Sequence, residues 1–391
     1  MSRKKIWIVA GEHSGDARSA ELMRAMLAED PCVQFLGAGG PRMAVLAGEP
    51  FDDWIAQAAV LGLWDVLRHY GYFRKKFRQM LEAIGSTTPD AVLLVDYPGF
   101  NLRLARALRQ RGYPGKILYY ISPQVWAWNR GRIPRMARWL DLMVCLFPFE
   151  KPMYEASGLK TVFVGHPLLE SLLPVRSHEP RDPDLLGLFP GSRRCEVQRN
   201  GPALVSAARI VAARRPGTRF QAAVADAGHA ALLRRMAGDF PLDIQVGDAH
   251  TLMRRAAAGI VCSGTATLEA AFFGLPYCLI YKAAWLTFEI GKRLVDVDCL
   301  GIVNILNNYR ENPPPDPRLP ARPAPHVVRE FIQHFAQPGP LADESLRLLN
   351  SPSAQESLRV RFAEILGGLQ AEGASRRAAA ALLSALAAQV P

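Results

Sequence analysis

The chain has no long apolar run. Hydrophobic residues make up 49% of its 391 residues, yet no segment approaches the roughly 18 uncharged apolar residues that a membrane-spanning helix needs. After the basic cluster at residues 3–5, the apolar run IWIVAG is too short for the core of a signal peptide. We therefore expect any membrane contact to be peripheral.

Paired cysteines are also missing. The six cysteines are widely spaced and form no CxxC motif, and most lie in apolar, strand-like runs. Such thiols are typically reduced and buried, so a reducing cytoplasm is the simplest compartment.

No repeat of about 20 to 50 residues is apparent, which disfavours a solenoid. No GxGxxG motif follows a strand, which disfavours an NAD-dependent enzyme.

Negative charge is in deficit, because the formal net charge is +11. This balance favours anionic partners such as phosphates, nucleic acid or acidic lipid headgroups, and charge alone does not choose among them. The length predicts two domains rather than one.

Short β-rich runs alternate with helical segments, which is typical of a parallel sheet covered by helices on both faces. The first set lies at 6–10, 33–37, 91–96, 116–121, 142–147 and 161–165. The second set lies at 185–189, 218–224, 242–246, 259–263 and 277–281. We predict an α/β protein with doubly wound domains at 1–172 and 185–345, a proline-rich linker at 173–184, and C-terminal helices at 346–391.

Two strands of the first set end in residues that can carry chemistry, and in open α/β sheets ligands bind at this edge. In IWIVAGEHSGD, glycines allow a tight loop and Ser14 or Asp16 could cap the next helix, and capping alone is an equally good interpretation. In AVLLVDYPGFN, Asp96 ends an apolar strand, where partial desolvation would raise its pKa and suit a general base. Its alternative is the cap of an Asx turn.

The stretch YYISPQVWAWNRGR concentrates Trp126, Trp128 and several arginines after a predicted strand. Indole and guanidinium groups suit a phosphorylated ligand or a lipid surface, and they would equally suit single-stranded nucleic acid. A solvated basic helix face is the third interpretation.

Two strand-to-helix loops of the second set suit an anionic ligand. LFPGSRRCEV places backbone N–H groups and Arg193 before a helix, and GIVCSGTATLEA offers a Ser-Gly-Thr turn at a helix N-terminus, with Glu269 further along. Either loop alone is explained by helix capping. Both together favour a nucleoside diphosphate, with the ribose diol on Glu269.

The motifs AGEHSGD, GPRM, VDYPGFN, ISPQVWAW, FPFEKPMYE, FVGHPLLE, LFPGSRRCEV, SGTATLEA and FEIGKRLV occur in this order. Together they resemble the lipid-A-disaccharide synthase family of glycosyltransferases, over about residues 6 to 306. The resemblance implies a GT-B architecture, with two Rossmann-like domains facing each other across a cleft. It implies transfer of 2,3-diacylglucosamine from UDP-2,3-diacylglucosamine to the 6-hydroxyl of 2,3-diacylglucosamine 1-phosphate. The resemblance implies that the transfer inverts the configuration at the anomeric carbon and gives a β-1,6 disaccharide. It also implies that no metal or other cofactor is needed.

The resemblance also implies roles for individual residues. Asp96 matches the family's probable general base, and Arg193 matches the arginine that meets the UDP diphosphate. The donor side would further contain Ser192, Ser263, Gly264, Thr265, Glu269 and Asn304. The acceptor side would contain Glu12, His13, Ser14, Gly15, Asp16 and Trp126. The chain departs from the family pattern at Gly99, where a second acid is often found, and at His13, where a small residue is more usual.

Diacylated substrates imply docking on an anionic membrane, on the inner face of the inner membrane of a Gram-negative cell. The segment VLGLWDVLRHYGYFRKKFRQM fits this need, although an amphipathic helix packed on its own sheet would look the same. Its predicted membrane-facing residues are Leu63, Trp64, Leu67, Arg74, Lys75 and Lys76. The resemblance also allows a homodimer that exchanges C-terminal segments.

Two other functions remain open from the sequence. One keeps the fold and changes the chemistry, as in a UDP-N-acetylglucosamine epimerase or another GT-B transferase. The other is a non-catalytic basic protein that binds nucleic acid or membrane, and it leaves the Gly-Ser-Arg and Ser-Gly-Thr loops unexplained.

Overall fold

A computed structural model defines residues 4–55, 70–176, 180–284, 288–289 and 298–387. The chain divides into two compact units, and we describe each by itself. Unit 1 is Met1–Ser171 with Leu369–Pro391, and unit 2 is Leu172–Gly368. The predicted C-terminal segment 346–391 is thus shared between the units. Among the residues described, no helix is both long enough and apolar enough to span a bilayer.

Unit 1 contains a parallel sheet of seven strands in the order β3-β2-β1-β4-β5-β6-β7. Its strands are β1 (Lys5–Ala10), β2 (Gln34–Gly39), β3 (Phe51–Asp53), β4 (Ala91–Val95), β5 (Lys116–Tyr120), β6 (Leu142–Cys145) and β7 (Thr161–Phe163). Its first helices are α1 (His13–Glu29), α2 (Pro41–Ala47), α3 (Tyr70–Thr87), α4 (Pro98–Gln110), α5 (Val125–Trp128), α6 (Ile133–Ala137), α7 (Glu150–Glu155) and α8 (Pro167–Leu172).

Unit 2 repeats this design with a parallel sheet of six strands in the order β10-β9-β8-β11-β12-β13. Its strands are β8 (Asp182–Phe189), β9 (Arg219–Val224), β10 (Leu242–Val246), β11 (Ala256–Cys262), β12 (Tyr277–Tyr281) and β13 (Glu330–Ile332). Its helices are α9 (Arg194–Arg214), α10 (Ala227–Ala237), α11 (Ala249–Arg255), α12 (Thr265–Phe272), α13 (Ile302–Glu311), α14 (Pro338–Asn350) and α15 (Pro352–Gly367). Strand β8 begins inside the predicted linker.

The predicted fold class is confirmed, since both units are parallel sheets with alternating helices. All the predicted strands are present. The sequence reading missed β3 and β13, which are three-residue strands that each pair with a single neighbour. Their apolar runs are too short to show a period, so only the register with the neighbouring strand defines them. Four of the six cysteines are buried, whereas Cys32 and Cys195 are exposed.

The C-terminal helix α16 (Ala374–Ala387) belongs to unit 1. Its residues Ala378, Ala379 and Leu382 are fully buried and join the apolar core made by α1 and the sheet. The FVGHP motif receives the returning chain, because the His166 N–H donates to the Leu369 carbonyl. Gly165 has φ +88, and a Cβ there would lie 2.1 Å from the Gln370 carbonyl oxygen. This motif therefore needs glycine in order to bind the C-terminal segment.

Close packing of β1 against β2 also depends on a glycine. Gly37 has φ +134, and a Cβ at this position would lie 2.0 Å from the carbonyl oxygen of Ile8. Both the backbone conformation and the space therefore exclude any side chain there.

Replacement of Gly37 by alanine should lower the free energy of unfolding of unit 1 by about 3 kcal/mol or more, because strain and overpacking add. Gly85→Ala is the matched control: Gly85 lies in α3, and a Cβ added there would have no atom within 4 Å. That change should be neutral or stabilising by up to about 1 kcal/mol. Urea unfolding followed by tryptophan fluorescence reports mainly on unit 1, since every tryptophan except Trp285 lies before residue 140. Equal midpoints for the two variants would contradict the expectation.

Candidate functional site

In unit 1 the loops after β1 and β4 lie side by side. Strand β1 pairs with β2 on one side and with β4 on the other, so the order of strands reverses at this point. In doubly wound sheets such a reversal opens a crevice at the carboxyl ends of the strands. The sequence motifs AGEHSGD and VDYPGFN supply its two loops.

Gly11 and Tyr97 join these two loops. A Cβ at Gly11 would lie 2.4 Å from Cδ1 of the Tyr97 ring, so the ring occupies the space that a side chain at position 11 would need. The buried Trp54 packs edge-on against Tyr97, with ring centroids 6.0 Å apart, and donates from Nε1 to the Ala10 carbonyl at 2.7 Å. The first motif therefore needs glycine because the second presents an aromatic ring.

Asp96 lies directly after β4 in an unusual backbone conformation. Its φ is +46 and that of Tyr97 is +48, both in the left-handed region. The Asp96 N–H donates to the Tyr120 carbonyl at 2.9 Å. Its own carbonyl accepts from the Tyr119 hydroxyl at 2.5 Å and from Nδ2 of Asn101 at 2.8 Å. Three hydrogen bonds thus hold the backbone of this residue.

The carboxyl group of Asp96 has altered acidity. Burial, and to a smaller extent the negative charge of Glu12, raise its pKa to about 6, although a hydrogen bond from the Tyr97 backbone lowers it. At neutral pH the group is mostly ionised and is a stronger base than an ordinary carboxylate. Glu12, His13 and Ser14 are exposed at the start of α1, so this edge of unit 1 combines a half-buried carboxylate with an open surface.

Asp16, which is predicted on the acceptor side, has a structural role in unit 1, and its contact with the acceptor stays a prediction. Its side chain is 3% exposed. Its two carboxylate oxygens accept from the backbone N–H groups of Arg42 at 3.3 Å and Met43 at 3.0 Å. These are N–H groups of the first turn of α2, which a carboxylate stabilises. Gly15, beside it, is also buried.

Trp126 is likewise buried, with 1% of its surface exposed, so it does not present a face to a ligand. Its Nε1 donates to Oε1 of the fully buried Glu150 at 2.9 Å. The other oxygen of Glu150 accepts from the Phe147 N–H at 3.1 Å. One carboxylate therefore joins the ISPQVWAW and FPFEKP motifs. Trp128 differs, since it is partly exposed and lies under the guanidinium of Arg132 at 4.5 Å from the ring centroid.

Unit 2 repeats the strand reversal between β8 and β11, and the loops after these strands are the two predicted anion loops. After β11, the Ser263 N–H donates to the Ile280 carbonyl at 3.0 Å, which anchors the loop to β12. Gly264 has φ +132 and begins α12 without a side-chain cap. Gly264 and Thr265 are exposed. This helix N-terminus therefore presents its partial positive charge to solvent.

In the loop after β8, by contrast, the backbone N–H groups already have an acceptor. Oε2 of Glu196 accepts from the N–H groups of Ser192 at 3.0 Å and Arg193 at 3.1 Å. Its Oε1 lies 3.2 Å from the Arg193 guanidinium, whose side chain is 73% exposed. The backbone donors of this loop are thus occupied by a carboxylate of the chain itself, and the arginine side chain extends outward.

Glu269 lies on α12 and is 18% exposed. Its Oε1 is 3.6 Å from Nε2 of His250, and the His250 ring packs against Phe273 with centroids 5.3 Å apart. Sequence reasoning missed His250. It lies on α11, before β11, and no motif marks it, so only the packing of α11 beside α12 reveals the contact.

The side chain of Asn304 is fully engaged in hydrogen bonds to other residues that the structure describes. Its Nδ2 donates to the Val328 carbonyl at 2.8 Å and to Glu330 at 2.7 Å. Its Oδ1 accepts from the N–H groups of Val327 at 2.9 Å and Val328 at 3.0 Å. With 1% of its surface exposed, it joins α13 to the segment before β13. The side chain of Asn304 thus has a structural role, and the position of this residue near the nucleotide stays a prediction.

Three of the predicted membrane-facing residues, Leu63, Trp64 and Leu67, lie outside the described residues. Arg74 and Lys75 are exposed on α3. Lys76 is different, because its Nζ lies 2.7 Å from Oδ2 of Asp52 in a half-buried ion pair. Its charge is thus already compensated within unit 1.

Comparison with known proteins gives one family along most of the chain. A family model described as lipid-A-disaccharide synthetase matches residues 6–316. The chain is 38% identical to the lipid-A-disaccharide synthase of Trichlorobacter lovleyi, over 97% of each chain. It is 39% identical to the lipid-A-disaccharide synthase of Geobacter sulfurreducens, over 99% of this chain and 98% of the relative.

Solved structures show the fold alone, because their sequence identity is low. The calicheamicin glycosyltransferase CalG4 superimposes with a TM-score of 0.59 at 14% identity, covering 100% of both chains. A UDP-N-acetylglucosamine 2-epimerase from Neisseria meningitidis bound to UDP-N-acetylglucosamine gives 0.60 at 9% identity, covering 98% of this chain and 100% of its own. The fold is therefore GT-B, as predicted.

The buried Glu150 makes the stability of unit 1 depend on pH. Burial raises its pKa to about 7 even though donated hydrogen bonds, including those of Ser122 and Trp126, lower it. Because the folded state holds this proton more tightly than the unfolded state, its stabilising contribution is complete below about pH 4.5 and is lost as the pH rises through about 7.

We expect the free energy of unfolding of the wild type, relative to Glu150→Gln, to fall by up to about 3 kcal/mol between pH 4.5 and 7. Urea midpoints from tryptophan fluorescence at several pH values measure this difference. Glu155→Gln, an exposed position on the same helix, should follow the wild-type profile. Parallel profiles for the wild type and Glu150→Gln would contradict the expectation.

Proposed function

This chain belongs to the lipid-A-disaccharide synthetase family, and from that premise we propose its reaction and the residues that carry it. The enzyme is a glycosyltransferase. Its donor is UDP-2,3-diacylglucosamine and its acceptor is 2,3-diacylglucosamine 1-phosphate. The acceptor 6-hydroxyl attacks the anomeric carbon, the bond to UDP breaks with inversion, and a β-1,6 disaccharide 1-phosphate forms.

Asp96 is the general base of this transfer. As the acceptor oxygen bonds to the anomeric carbon, its proton passes to the Asp96 carboxylate and the electron pair of the broken bond leaves with UDP. The support is the half-buried position at the end of β4 and the pKa of about 6, which leaves the base ionised at neutral pH. Exposed Glu12, His13 and Ser14 offer the neighbouring surface for the acceptor.

The N-terminus of α12 receives the diphosphate of the donor. Its support is the exposed Gly264–Thr265 turn, which has no side-chain cap and lies where the strand order of unit 2 reverses. An anion is stabilised there by unpaired backbone N–H groups and by the helix dipole. Glu269, in contact with His250, accepts hydrogen bonds from the ribose hydroxyls.

Arg193 contributes its side chain rather than the backbone of its loop. Glu196 already accepts from the Ser192 and Arg193 N–H groups, whereas the Arg193 guanidinium is mostly exposed. A mobile guanidinium can leave Glu196 and neutralise the charge that develops on departing UDP.

Arg193→Ala should therefore weaken UDP binding by about tenfold or more and lower kcat as well, because a charge-assisted contact is lost. Arg194→Ala removes an adjacent arginine that is also exposed and should change the UDP dissociation constant by no more than about threefold. Isothermal titration with UDP measures both. Equal losses in the two variants would mean that general positive charge, and not Arg193, binds the diphosphate.

The acyl chains of both substrates explain why the enzyme would work at a membrane. We propose peripheral binding to the inner face of the inner membrane. The exposed Arg74 and Lys75 and the net charge of +11 support contact with anionic headgroups. A homodimer that exchanges C-terminal helices stays a prediction, and the apolar contacts of α16 with α1 are the contacts that such an exchange would use.

The test is UDP release from UDP-2,3-diacylglucosamine by the purified protein in detergent micelles, with and without 2,3-diacylglucosamine 1-phosphate. We expect release only with the acceptor, together with a disaccharide product. Release without acceptor would instead indicate an epimerase or hydrolase on the same fold.

Asp96→Asn should reduce turnover by at least about a hundredfold while the UDP dissociation constant stays within about twofold, since the base lies in the other unit from the nucleotide loops. In the wild type, kcat/KM should fall as the pH drops below about 6, because protonated Asp96 cannot accept the hydroxyl proton. Asp53→Asn, at an exposed carboxylate of unit 1, is the control. Retained turnover in Asp96→Asn would remove this residue from the role.

A further inference from the structure

Strand β5 carries two adjacent tyrosines that are equally buried but differently bonded. Tyr119 and Tyr120 are both 0% exposed, and as neighbours on a strand they point to opposite faces of the sheet. The Tyr119 hydroxyl donates to the Asp96 carbonyl at 2.5 Å. The Tyr120 hydroxyl has no hydrogen-bond partner within the part of the chain that the structure describes.

The bond from Tyr119 acts on a strained turn. Asp96 and Tyr97 are two consecutive non-glycine residues in the left-handed region, a conformation that residues with a side chain rarely adopt. Such a conformation persists only where the surroundings impose it. In this turn the Asp96 carbonyl accepts two donors, the Tyr119 hydroxyl and the Asn101 amide.

Asn101 acts from the other side of the same carbonyl. It is fully buried near the start of α4, and its Nδ2 donates to both the Val95 and the Asp96 carbonyls, at 3.1 and 2.8 Å. The end of β4 is thus joined to α4 by the Asn101 amide, and to β5 by the Tyr119 hydroxyl and by the bond from the Asp96 N–H to the Tyr120 carbonyl. Because a carbonyl and the side chain of its residue are joined by the backbone, these donors also determine the direction of the Asp96 carboxylate.

We propose that Tyr119, assisted by Asn101, is a positioning residue that holds Asp96 in its left-handed turn and so aims the carboxylate at the acceptor hydroxyl. The inference rests on the proposed role of Asp96 as the base. Tyr119 touches no substrate, since its side chain is completely buried, and it acts only through the backbone of Asp96.

A purely structural role for Tyr119 makes different predictions. If the ring only fills the core, Tyr119→Phe keeps the ring and loses one hydrogen bond, which lowers stability and leaves the kinetics of the folded enzyme unchanged. If the hydroxyl positions Asp96, the folded variant has a base that is less well aligned and more hydrated. Since burial raises the pKa of Asp96, greater hydration moves that pKa towards its ordinary value.

The experiment compares Tyr119→Phe with Tyr120→Phe, which removes a buried hydroxyl from the adjacent residue without removing a hydrogen bond. We expect kcat for disaccharide formation to fall about tenfold in Tyr119→Phe, with KM for both substrates within about twofold of the wild type. The acidic limb of its kcat/KM profile should move to lower pH. Tyr120→Phe should keep the wild-type kcat and limb.

Equal kcat values and equal acidic limbs for the two variants would overturn the proposal. If Tyr119→Phe shows no cooperative unfolding transition, Asn101→Leu takes its place, since leucine has nearly the same shape and cannot donate. In that variant, a loss of kcat together with an acidic limb of the kcat/KM profile moved to lower pH supports the proposal, and wild-type kinetics overturn it.

Asp96→Asn is measured in parallel. Retained turnover in that variant shows that the assignment of the base has failed, and the positioning proposal fails with it. Lost turnover there, with an unaffected Tyr119→Phe, shows that only the positioning proposal has failed.

Discussion

In each parallel sheet the first strand of the unit lies inside the sheet. The next strands of the chain are added on one side of it, and the later strands are added on its other side. Strand β1 has β2 on one side and β4 on the other, and β8 has β9 and β11. Because every connection in these sheets is a crossover to a parallel strand, all loops that follow strands leave from one edge. The loops after β1 and β4, and those after β8 and β11, must therefore meet in pairs. The proposed chemistry depends on this constraint, which brings Glu12 near Asp96 and the Gly-Ser-Arg loop near the Ser-Gly-Thr loop.

Some motif residues are exposed and available to a ligand, and others are buried and hold the loops in place. Asp16, Trp126 and Asn304 use their polar atoms on partners within the protein, and all three are almost completely buried. Burial without such partners would cost several kcal/mol for each group, so these hydrogen bonds are a requirement of the fold. Arg193, Thr265 and Glu12 remain exposed. A family motif thus contains both kinds of residue, and the exposed fraction of each side chain distinguishes one kind from the other.

The two loops proposed to bind the donor diphosphate differ in which of their groups are already paired. At the start of α12 no side chain of a described residue caps the helix, so the proposed diphosphate would meet backbone donors directly. At the start of α9 Glu196 caps the loop and pairs with Arg193. A diphosphate would compete there with a carboxylate for the arginine, which can move, and not for the N–H groups, which cannot. One loop thus supplies a fixed dipole and the other a movable charge.

The sequence by itself determined the fold class, every described strand except β3 and β13, and the position of Asp96 at a strand end, because continuous apolar runs bounded by glycine and proline are local signals. It also determined the family, through the order of short motifs. Only the tertiary structure decided that Asn304 bonds to the segment before β13, that Glu196 occupies the Gly-Ser-Arg loop, that His250 contacts Glu269, and that Tyr119 bonds to the Asp96 carbonyl. Apart from the Glu196 contact, these partners are well separated along the chain and lie on different elements. In all four cases the contact depends on where neighbouring groups lie in space, and a local pattern of residue types carries no information about that distance.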